Sequence, residues 1–303
     1  MARRTTITTA SLLVAASLGG TLVACSDDGD TGNSDGRLVV AAAFYPLAEI
    51  ARTLGGDAVQ VVTIVPPGEE AHEYEPTPKQ LTALEDADVV LYLGDGFQPS
   101  VEKAIQNLPD SVVKLDLLEG LTLLPLDDGN DPHVWLDPLN MQLMTATVEV
   151  ALAEALPAEA DGFSLRATAY HHALATLDEE FNDGLLDCAN RYLVTGHEAF
   201  GYLAAAYGLT QESIAGISPG DEPSARTLED VSAFVREHDI TTIFFEENLP
   251  DDLARTVADE TGATTAVLNT VETLSDEQVK SGATYASVMR DNLTALRAAS
   301  RCA

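Results

Sequence analysis

The chain has 303 residues, and its 49 acidic against 16 basic side chains give a formal net charge of −33. A phosphate-binding surface needs the opposite sign, so the composition argues against nucleic acid as a partner. The acidic excess favours solubility and gathers cations near the surface, but it does not locate a site. The length is sufficient for two lobes of ordinary domain size behind an N-terminal export segment.

The N-terminus has the layout of a secretory signal peptide, which is predicted over residues 1–24. Arg3 and Arg4 precede a stretch of apolar or small, uncharged residues over 7–24. A transmembrane anchor is the alternative, but threonine and glycine dilute this stretch, and spanning a bilayer takes about 20 strongly apolar residues. A twin-arginine export signal is a further interpretation of the arginine pair.

The predicted signal runs into the sequence Leu-Val-Ala-Cys at Cys25, which resembles the bacterial lipobox. The resemblance implies cleavage before Cys25 and a lipid on its sulfur, and therefore an extracytoplasmic protein anchored to the cell membrane. The residues that follow, up to 36, are small and acidic and lack apolar side chains. Such a stretch cannot bury enough surface to fold, so residues 25–36 are predicted to be a flexible tether.

Cys188 and Cys302 are the other two cysteines of the chain, an even pair in an exported protein. Disulfides persist outside the cytoplasm, so a disulfide between them is predicted. It would close a long loop, the case in which cross-linking removes the most entropy from the unfolded chain. Two buried free thiols are the alternative.

Short apolar runs alternate with helical patterns from Arg37 onward. Four runs in the first half predict strands, at residues 38–42, 59–65, 89–93 and 112–115. The stretches between them that favour helices are residues 47–54 and 78–86. Continuous apolar strands separated by helices indicate a parallel sheet that is covered on both faces.

Two helices without an intervening strand come next, at residues 138–156 and 158–187, separated near Pro157. Apolar residues of the second helix recur at spacings of four and three, which predicts a single buried seam made of Phe163, Ala167, Tyr170, Leu174, Leu177 and Phe181. At 1.5 Å per residue such a helix is ~45 Å long. It is long enough to run along two lobes as a stiff spine.

The second half repeats the alternation of strands and helices. Strands are predicted at residues 192–195, 213–215, 242–245 and 265–268. Helices are predicted at residues 199–207, 224–238, 250–261 and 283–298. The pattern therefore predicts an α/β protein with a parallel sheet in each half. The predicted parts of the chain are an N-terminal lobe at residues 37–157, a linking helix at 158–188 and a C-terminal lobe at 189–303.

Three of the six histidines occupy unusual settings. His72 and His197 each lie just beyond the carboxyl end of a predicted strand, and His133 precedes a predicted helix. Ligands of open parallel sheets bind outside those carboxyl ends, and imidazole nitrogen is a preferred ligand of zinc. Taken singly, a loop histidine is more often a surface residue or a capping partner, so spacing alone leaves both interpretations open.

Five segments, in chain order, resemble the zinc and manganese solute-binding proteins of bacterial ABC importers: PPGEEAHEYEPTP, DPHVWLDP, VTGHEAFGYLAAAYGL, GISPGDEPSA and LNTVETL. The resemblance covers essentially the whole mature chain. It implies two lobes, each with a four-stranded parallel sheet flanked by helices, joined by one long rigid helix. It also implies a monomeric binding protein, not an enzyme, that holds a metal between the lobes and delivers it to a membrane permease.

The same resemblance implies the ligands His72, His133 and His197. The fourth position is open, because some members carry an aspartate where this chain has the neutral Asn269. Members that read like LNTVETL place a glutamate a few residues later, which favours Glu272. Glu246 and a water molecule are the other candidates for the fourth ligand. The alternative for Glu272 is that it binds no metal and is an acidic residue in a solvated turn at the N-terminus of a helix.

Three imidazoles and one carboxylate suit tetrahedral zinc, whereas manganese prefers an oxygen-rich octahedral shell. Manganese-binding relatives put a carboxylate at the position of His197. Many zinc-specific relatives carry a histidine-rich loop before the DPH motif, but here residues 125–131 are short and acidic. The rival functions are a manganese-binding homologue, a surface adhesin in which the metal only holds the lobes together, and a zinc hydrolase. The HExxH motif of one class of zinc hydrolases is not present in the sequence.

Two aspartates flank His133 in the DPHVWLDP segment. Asp131 and Asp137 could each orient the His133 ring by accepting a hydrogen bond from it. Capping of the helix that begins at Pro138 is the equally favoured role for Asp137.

Overall fold

The computed structural model of the protein describes residues 36–126, 129–247 and 249–303. The predicted signal peptide, the lipid-attachment residue Cys25 and all of the tether before residue 36 lie outside the described residues. Within the described ranges, no helix combines the length and the apolar character that a membrane crossing requires.

The first half of the described chain forms a four-stranded parallel sheet with the strand order β2-β1-β3-β4. Its strands are β1 (Leu38–Ala42), β2 (Val59–Thr63), β3 (Val89–Tyr92) and β4 (Val113–Asp116). All four were predicted. The apolar run of β2 continues past the strand, because Ile64 and Val65 are buried in the loop that leaves the sheet.

Three helices cover this sheet, α1 (Tyr45–Gly55), α2 (Pro78–Glu85) and α3 (Pro99–Gln106). The first two were predicted, although α1 begins earlier than expected, directly after the extended residue Phe44. Helix α3 was not predicted. It has only two turns and buries only Val101 and Ile105, a pattern too short to show helical periodicity.

The spine of the molecule consists of α4 (Pro138–Ala155) and α5 (Ala160–Gly184), joined by a single turn of 3-10 helix at Pro157–Glu159. All six residues of the predicted seam on α5 are buried. With 25 residues the helix is about 37 Å long, shorter than expected from its predicted ends. It packs against α1 and α4 and against the C-terminal helix.

The second half forms another four-stranded parallel sheet, with the matching order β6-β5-β7-β8. Its strands are β5 (Tyr192–Thr195), β6 (Thr210–Ser213), β7 (Thr242–Phe245) and β8 (Thr264–Val267). The two sheets confirm the predicted fold class. The predicted position of β6 was wrong, because this edge strand has a polar sequence and the apolar residues Ile214 and Ala215 follow its end.

Five helices accompany the second sheet: α6 (Gly201–Tyr207), α7 (Ala225–Glu237), α8 (Asp252–Thr261), α9 (Asp276–Ser281) and α10 (Tyr285–Ser300). Four of them were predicted, with ends that differ by about two residues. Helix α9 was not. It has six residues and buries none of them, and it is stabilised by a capping box between Ser275 and Gln278.

One hydrophobic core extends from the first sheet across α5 to the second half, where it includes Leu193, Phe244 and Leu268. A smaller core lies between the second sheet and helices α7 and α8. The lobe boundaries proposed from the sequence remain a prediction, since this continuous core crosses them. The predicted Cys188–Cys302 disulfide is present and joins the segment after α5 to the end of α10.

Candidate metal centre

The carboxyl ends of both sheets meet at one point. His72 lies in the loop after β2, an edge strand of the first sheet, and His197 follows β5, an inner strand of the second sheet, after one glycine. Glu272 lies in the loop after β8, and His133 immediately precedes a single turn of 3-10 helix in front of α4. Four elements that are distant in sequence therefore each supply one potential ligand.

The four potential ligand atoms of His72, His133, His197 and Glu272 all lie within 4.8 Å of one another. Nε2 of His133 is 3.2 Å from Nε2 of His72 and 3.4 Å from Nε2 of His197. Oε1 of Glu272 is 3.7, 3.8 and 3.9 Å from the Nε2 atoms of His72, His133 and His197, respectively. The structure thus brings together all four residues that were favoured from the sequence.

These separations are close to, and for Glu272 slightly wider than, those around a tetrahedral ion. Ligand atoms at 2.0 to 2.1 Å from a zinc ion in tetrahedral geometry lie about 3.3 Å from one another. All four side chains are at least nine-tenths buried. Oε1 of Glu272 is buried without a hydrogen-bond partner, which is costly for a carboxylate unless a cation compensates it. The donor set therefore fits a divalent metal with a preference for nitrogen.

His133 is oriented by its own segment. Asp131 accepts hydrogen bonds from the backbone N–H of His133 at 2.9 Å and from ring Nδ1 at 2.8 Å. A proton on Nδ1 leaves the Nε2 lone pair free for a metal. Burial raises the pKa of Asp131 to about 7, although the backbone N–H of His133 opposes this rise. Burial also lowers the pKa of His133 well below its usual value, and His72 and His197 lower it further.

His197 is oriented by a residue from another strand. Its Nδ1 lies 2.5 Å from Oε1 of Glu246, which directly follows β7. Burial alone would lower the pKa of His197, but the charge of Glu246 and the hydrogen bond to it raise the value above normal. Glu246 therefore orients a potential ligand, and its Oε1 faces Nδ1 of His197, which favours Glu272 over Glu246 as the fourth donor.

Glu272 carries the carboxylate of the site in its ionised form. Burial alone would raise its pKa, but His72, His197 and His133 together lower it to about 2. The alternative Asn269 points elsewhere: its side-chain oxygen accepts a hydrogen bond from the backbone N–H of Val271 at 2.7 Å. Asp137 caps α4 by accepting from the N–H of Leu139 at 2.8 Å, so its predicted capping role is the one observed.

Aromatic rings surround the histidines. Phe97 meets the ring of His72 edge-on at a centroid distance of 4.7 Å, and Trp135 lies 5.2 Å from the ring of His133. Both aromatic side chains are buried. Phe97 was not predicted as part of the site, and its only sequence signal is its position in the loop after β3, a third strand of the first sheet. The rings exclude water from the inner side of the site.

The outer side of the site adjoins a small cavity of about 20 Å³. Five glutamates contribute to its lining: Glu69, Glu70, Glu246, Glu247 and Glu272. All three loops that supply them were singled out from the sequence, but Glu69, Glu70 and Glu247 were not predicted as part of the site. The mouth is therefore strongly acidic, whereas the opposite wall is aromatic.

Two α/β lobes whose strand ends enclose three imidazoles and a carboxylate define a metal-binding protein of the two-lobed solute-binding class. The family model described as zinc-uptake complex component A, periplasmic (ZnuA), matches residues 40–299. The chain belongs to this family.

Relatives support the assignment over most of the chain. The chain is 36% identical over 303 residues to the zinc-binding lipoprotein AdcA of Streptococcus pneumoniae, covering 95% of this chain and 60% of AdcA. It thus spans well under two thirds of AdcA. It is 33% identical over 295 residues to the high-affinity zinc uptake system protein ZnuA of Bacillus subtilis, covering 91% of this chain and 92% of that protein.

The fold is also that of a solved relative. The crystal structure of the Zn(II)-bound ZnuA-like domain of Streptococcus pneumoniae AdcA superimposes with a TM-score of 0.78 at 36% sequence identity. The match covers 88% of this chain and 99% of that domain.

Proposed function

We propose that this protein captures zinc from outside the cytoplasm and delivers it to the membrane permease of an ABC importer. The single observation that carries the proposal is the convergence of three Nε2 atoms and one carboxylate oxygen, all buried and within 4.8 Å of one another. Family membership supports it, since the matching family is described as a component of a zinc-uptake complex.

The ligands in this proposal are His72, His133, His197 and Glu272. Three neutral imidazoles and one carboxylate give a donor set of low net charge that suits tetrahedral zinc, and only one of the four donors is an oxygen, the atom that manganese favours. A set of four protein donors also leaves no open position for a reactive water, which a hydrolytic zinc site needs. The site is therefore suited to capture, and we infer that the protein is not an enzyme.

The acidic mouth supports capture of a cation. Glu69, Glu70 and Glu247 lie at the outer side of the site, next to the buried ligand Glu272. Charges of one sign around a cleft raise the local concentration of the opposite ion and speed its entry. Residues 125–131 contain no histidine-rich loop, so in this chain the attraction of zinc to the site would fall to these glutamates.

The remaining parts of the proposal concern location and partners. We infer that Cys25 carries a lipid after removal of residues 1–24 and that residues 25–36 tether the folded protein to the outer face of the membrane. The protein would act as a monomer and present its metal-loaded form to the permease. Because one core and the helix α5 connect both lobes, only small movements of the lobes would accompany binding.

Metal analysis of the purified protein tests the proposal. After chelator treatment, the protein should take up one equivalent of zinc and should retain it against an excess of manganese in competition with a chelating dye. The His197→Ala variant should lose at least about tenfold in zinc affinity, because one of four ligands is removed. Stoichiometric binding of manganese in preference to zinc, or an unchanged affinity of the variant, would contradict the proposal.

A further inference from the structure

Thr273, the residue directly after Glu272, connects the loops that carry two of the proposed ligands. These are the His72 loop (residues 64–77) and the Glu272 loop (residues 268–275). The Thr273 hydroxyl donates to the carbonyl of Pro66 at 3.2 Å and accepts from the backbone N–H of Gly68 at 3.0 Å. The side chain is 8% exposed, so water competes little for these bonds.

The backbone of the Glu272 loop is also held by the first half of the chain. The N–H of Gly68 donates to the carbonyl of Leu274 at 3.0 Å, and the N–H of Tyr45 donates to the carbonyl of Glu272 at 3.3 Å. Ring Nε1 of Trp135 donates to the carbonyl of Thr270 at 2.7 Å. The part of the loop that bears Glu272 therefore belongs to the second half by sequence but is bonded to the first half.

The conformation of this loop requires such support. Val271 has a φ of +60°, in the left-handed region that a β-branched residue rarely adopts, and it is fully buried. A residue in this conformation persists only when its surroundings determine it. The carbonyls on either side of Val271, those of Thr270 and Glu272, are the ones bonded to Trp135 and Tyr45.

The ligand His197 is held differently. Its carbonyl accepts hydrogen bonds from the Thr195 hydroxyl at 2.8 Å and from the Gln211 side chain at 3.1 Å, both in the second half. At its first residue the Glu272 loop continues the pairing of β7 with β8, because the N–H of Leu268 donates to the carbonyl of Phe245 at 2.9 Å. Beyond that residue, its bond to this region is one of 3.4 Å from the Thr270 hydroxyl to Glu246. Separation of residues 270–275 from His197 and Glu246 thus breaks less than their separation from the His72 loop.

We propose that Thr273 is a positioning residue that couples His72 to Glu272, so that these two ligands engage and release the metal as one unit. The inference rests on the proposed function, because it concerns the same zinc site. It implies that the site opens between the paired loops on one side and His197 with Glu246 on the other. That opening coincides with the acidic mouth, which both sides line.

The test compares zinc dissociation from the full chain and from the Thr273→Val variant, which keeps the shape of the side chain but removes its hydroxyl. Dissociation is followed by stopped flow with an excess of chelator, and association is measured separately. Loss of the hydroxyl bonds should speed dissociation about fivefold, the effect of one typical buried hydrogen bond, with association changed less than twofold. Thr273→Ser, which restores a hydroxyl, should return the rate to near that of the unmodified protein.

A matched control separates coupling from general destabilisation. Thr145 is a fully buried threonine in α4 whose hydroxyl donates to the carbonyl of Met141 at 2.7 Å, so its bond stays within one helix and joins no two ligand loops. Thr145→Val should lower the melting temperature of the metal-free protein without changing zinc dissociation. Thr273→Ala should reproduce the faster dissociation of the valine variant.

Each outcome decides between the two proposals. If the unmodified protein binds zinc and Thr273→Val and Thr273→Ala both release it at the unmodified rate, the coupling is wrong and the zinc-binding function stands. Faster dissociation that serine does not reverse, or that Thr145→Val reproduces, also overturns the coupling. If the unmodified protein does not bind zinc, the proposed function itself falls, and the coupling falls with it.

Discussion

His133 and His197 present the same atom, Nε2, to the same point, and each has its Nδ1 next to a buried carboxylate. The carboxylates reach them by different routes. Asp131 is two residues away from His133, so a single segment carries both groups. Glu246 is 49 residues away from His197 and follows a different strand, so that pair exists only in the folded protein.

The electrostatic consequences differ as well. Burial and the neighbouring rings lower the pKa of His133 well below normal, whereas Glu246 raises the pKa of His197 despite burial. An imidazole must be neutral to bind a metal. The surroundings of His133 thus disfavour a second proton on the ring, whereas those of His197 favour one, so protons compete with a metal more strongly at His197.

The largest effect is expected from the loss of the His133 ring, whose lowered pKa keeps it neutral. His133→Ala should lower zinc affinity ~100-fold or more, about a quarter of the binding free energy of a four-ligand zinc site. His197→Ala should cost less, though still about tenfold, because the proton that competes with zinc disappears together with the ligand. Competition with a chelating dye at pH 7.5 measures both.

His172→Ala is the control for these two variants, since His172 lies on the exposed face of α5. Its zinc affinity should match that of the unmodified protein. An equal or greater loss in His197→Ala than in His133→Ala would contradict the proposed difference between the rings.

The next effect concerns pH. Because the pKa of His197 is raised, zinc affinity should fall as pH decreases through that raised value, by about tenfold per pH unit for each proton taken up. Glu246→Gln removes the charge that raises this pKa, so burial then lowers it. The fall in affinity should therefore begin at a lower pH in the variant, even though its affinity at pH 8 is reduced about tenfold or more by the poorer support of the ring.

Zinc affinity measured from pH 8 to pH 5 checks this prediction in both proteins. Parallel curves for the unmodified protein and Glu246→Gln would show that Glu246 does not set the proton competition at His197.

The smallest effect is expected for Asp131→Asn. The side-chain oxygen of asparagine can still accept the two hydrogen bonds that Asp131 receives from His133, so the ring keeps its orientation. Zinc affinity should fall at most about tenfold, the lower end of the range for partners of metal ligands. Asparagine does not titrate, so the share of the pH dependence that comes from Asp131, whose pKa burial raises to about 7, should disappear, while the fall in affinity set by His197 should keep its midpoint. A shift of its midpoint as large as that of Glu246→Gln would mean that the two carboxylates act alike.

The same contrast explains how much of the protein was predictable from its sequence. Asp131 and His133 lie in one short motif, and seven of the eight strands are apolar or β-branched runs that show clearly in the sequence. The spine helix α5 was found because its seam repeats over about five turns. Features that repeat locally, or that lie within a few residues, were therefore predicted.

Apart from the Cys188–Cys302 disulfide and the convergence of the histidines, features that depend on contacts between distant segments were not predicted. Neither the support of His197 by Glu246 nor the bonds of Thr273 to the His72 loop has any signal in local sequence, because the partners are 49 and more than 200 residues apart. The short helices α3 and α9 and the polar edge strand β6 carry too few buried apolar residues to form a pattern. Glu272 was chosen from a resemblance to relatives, and its burial among three imidazoles became visible only in the fold.

The core that passes from the first sheet across α5 into the second half has a consequence for unfolding. Both halves share this larger core, so heat should melt the described part of the chain in a single cooperative transition. Any ion held by residues from both halves then stabilises the whole molecule at once, by an amount that grows with the logarithm of its free concentration. The melting temperature thereby becomes a measure of the fraction of the protein that holds a bound ion.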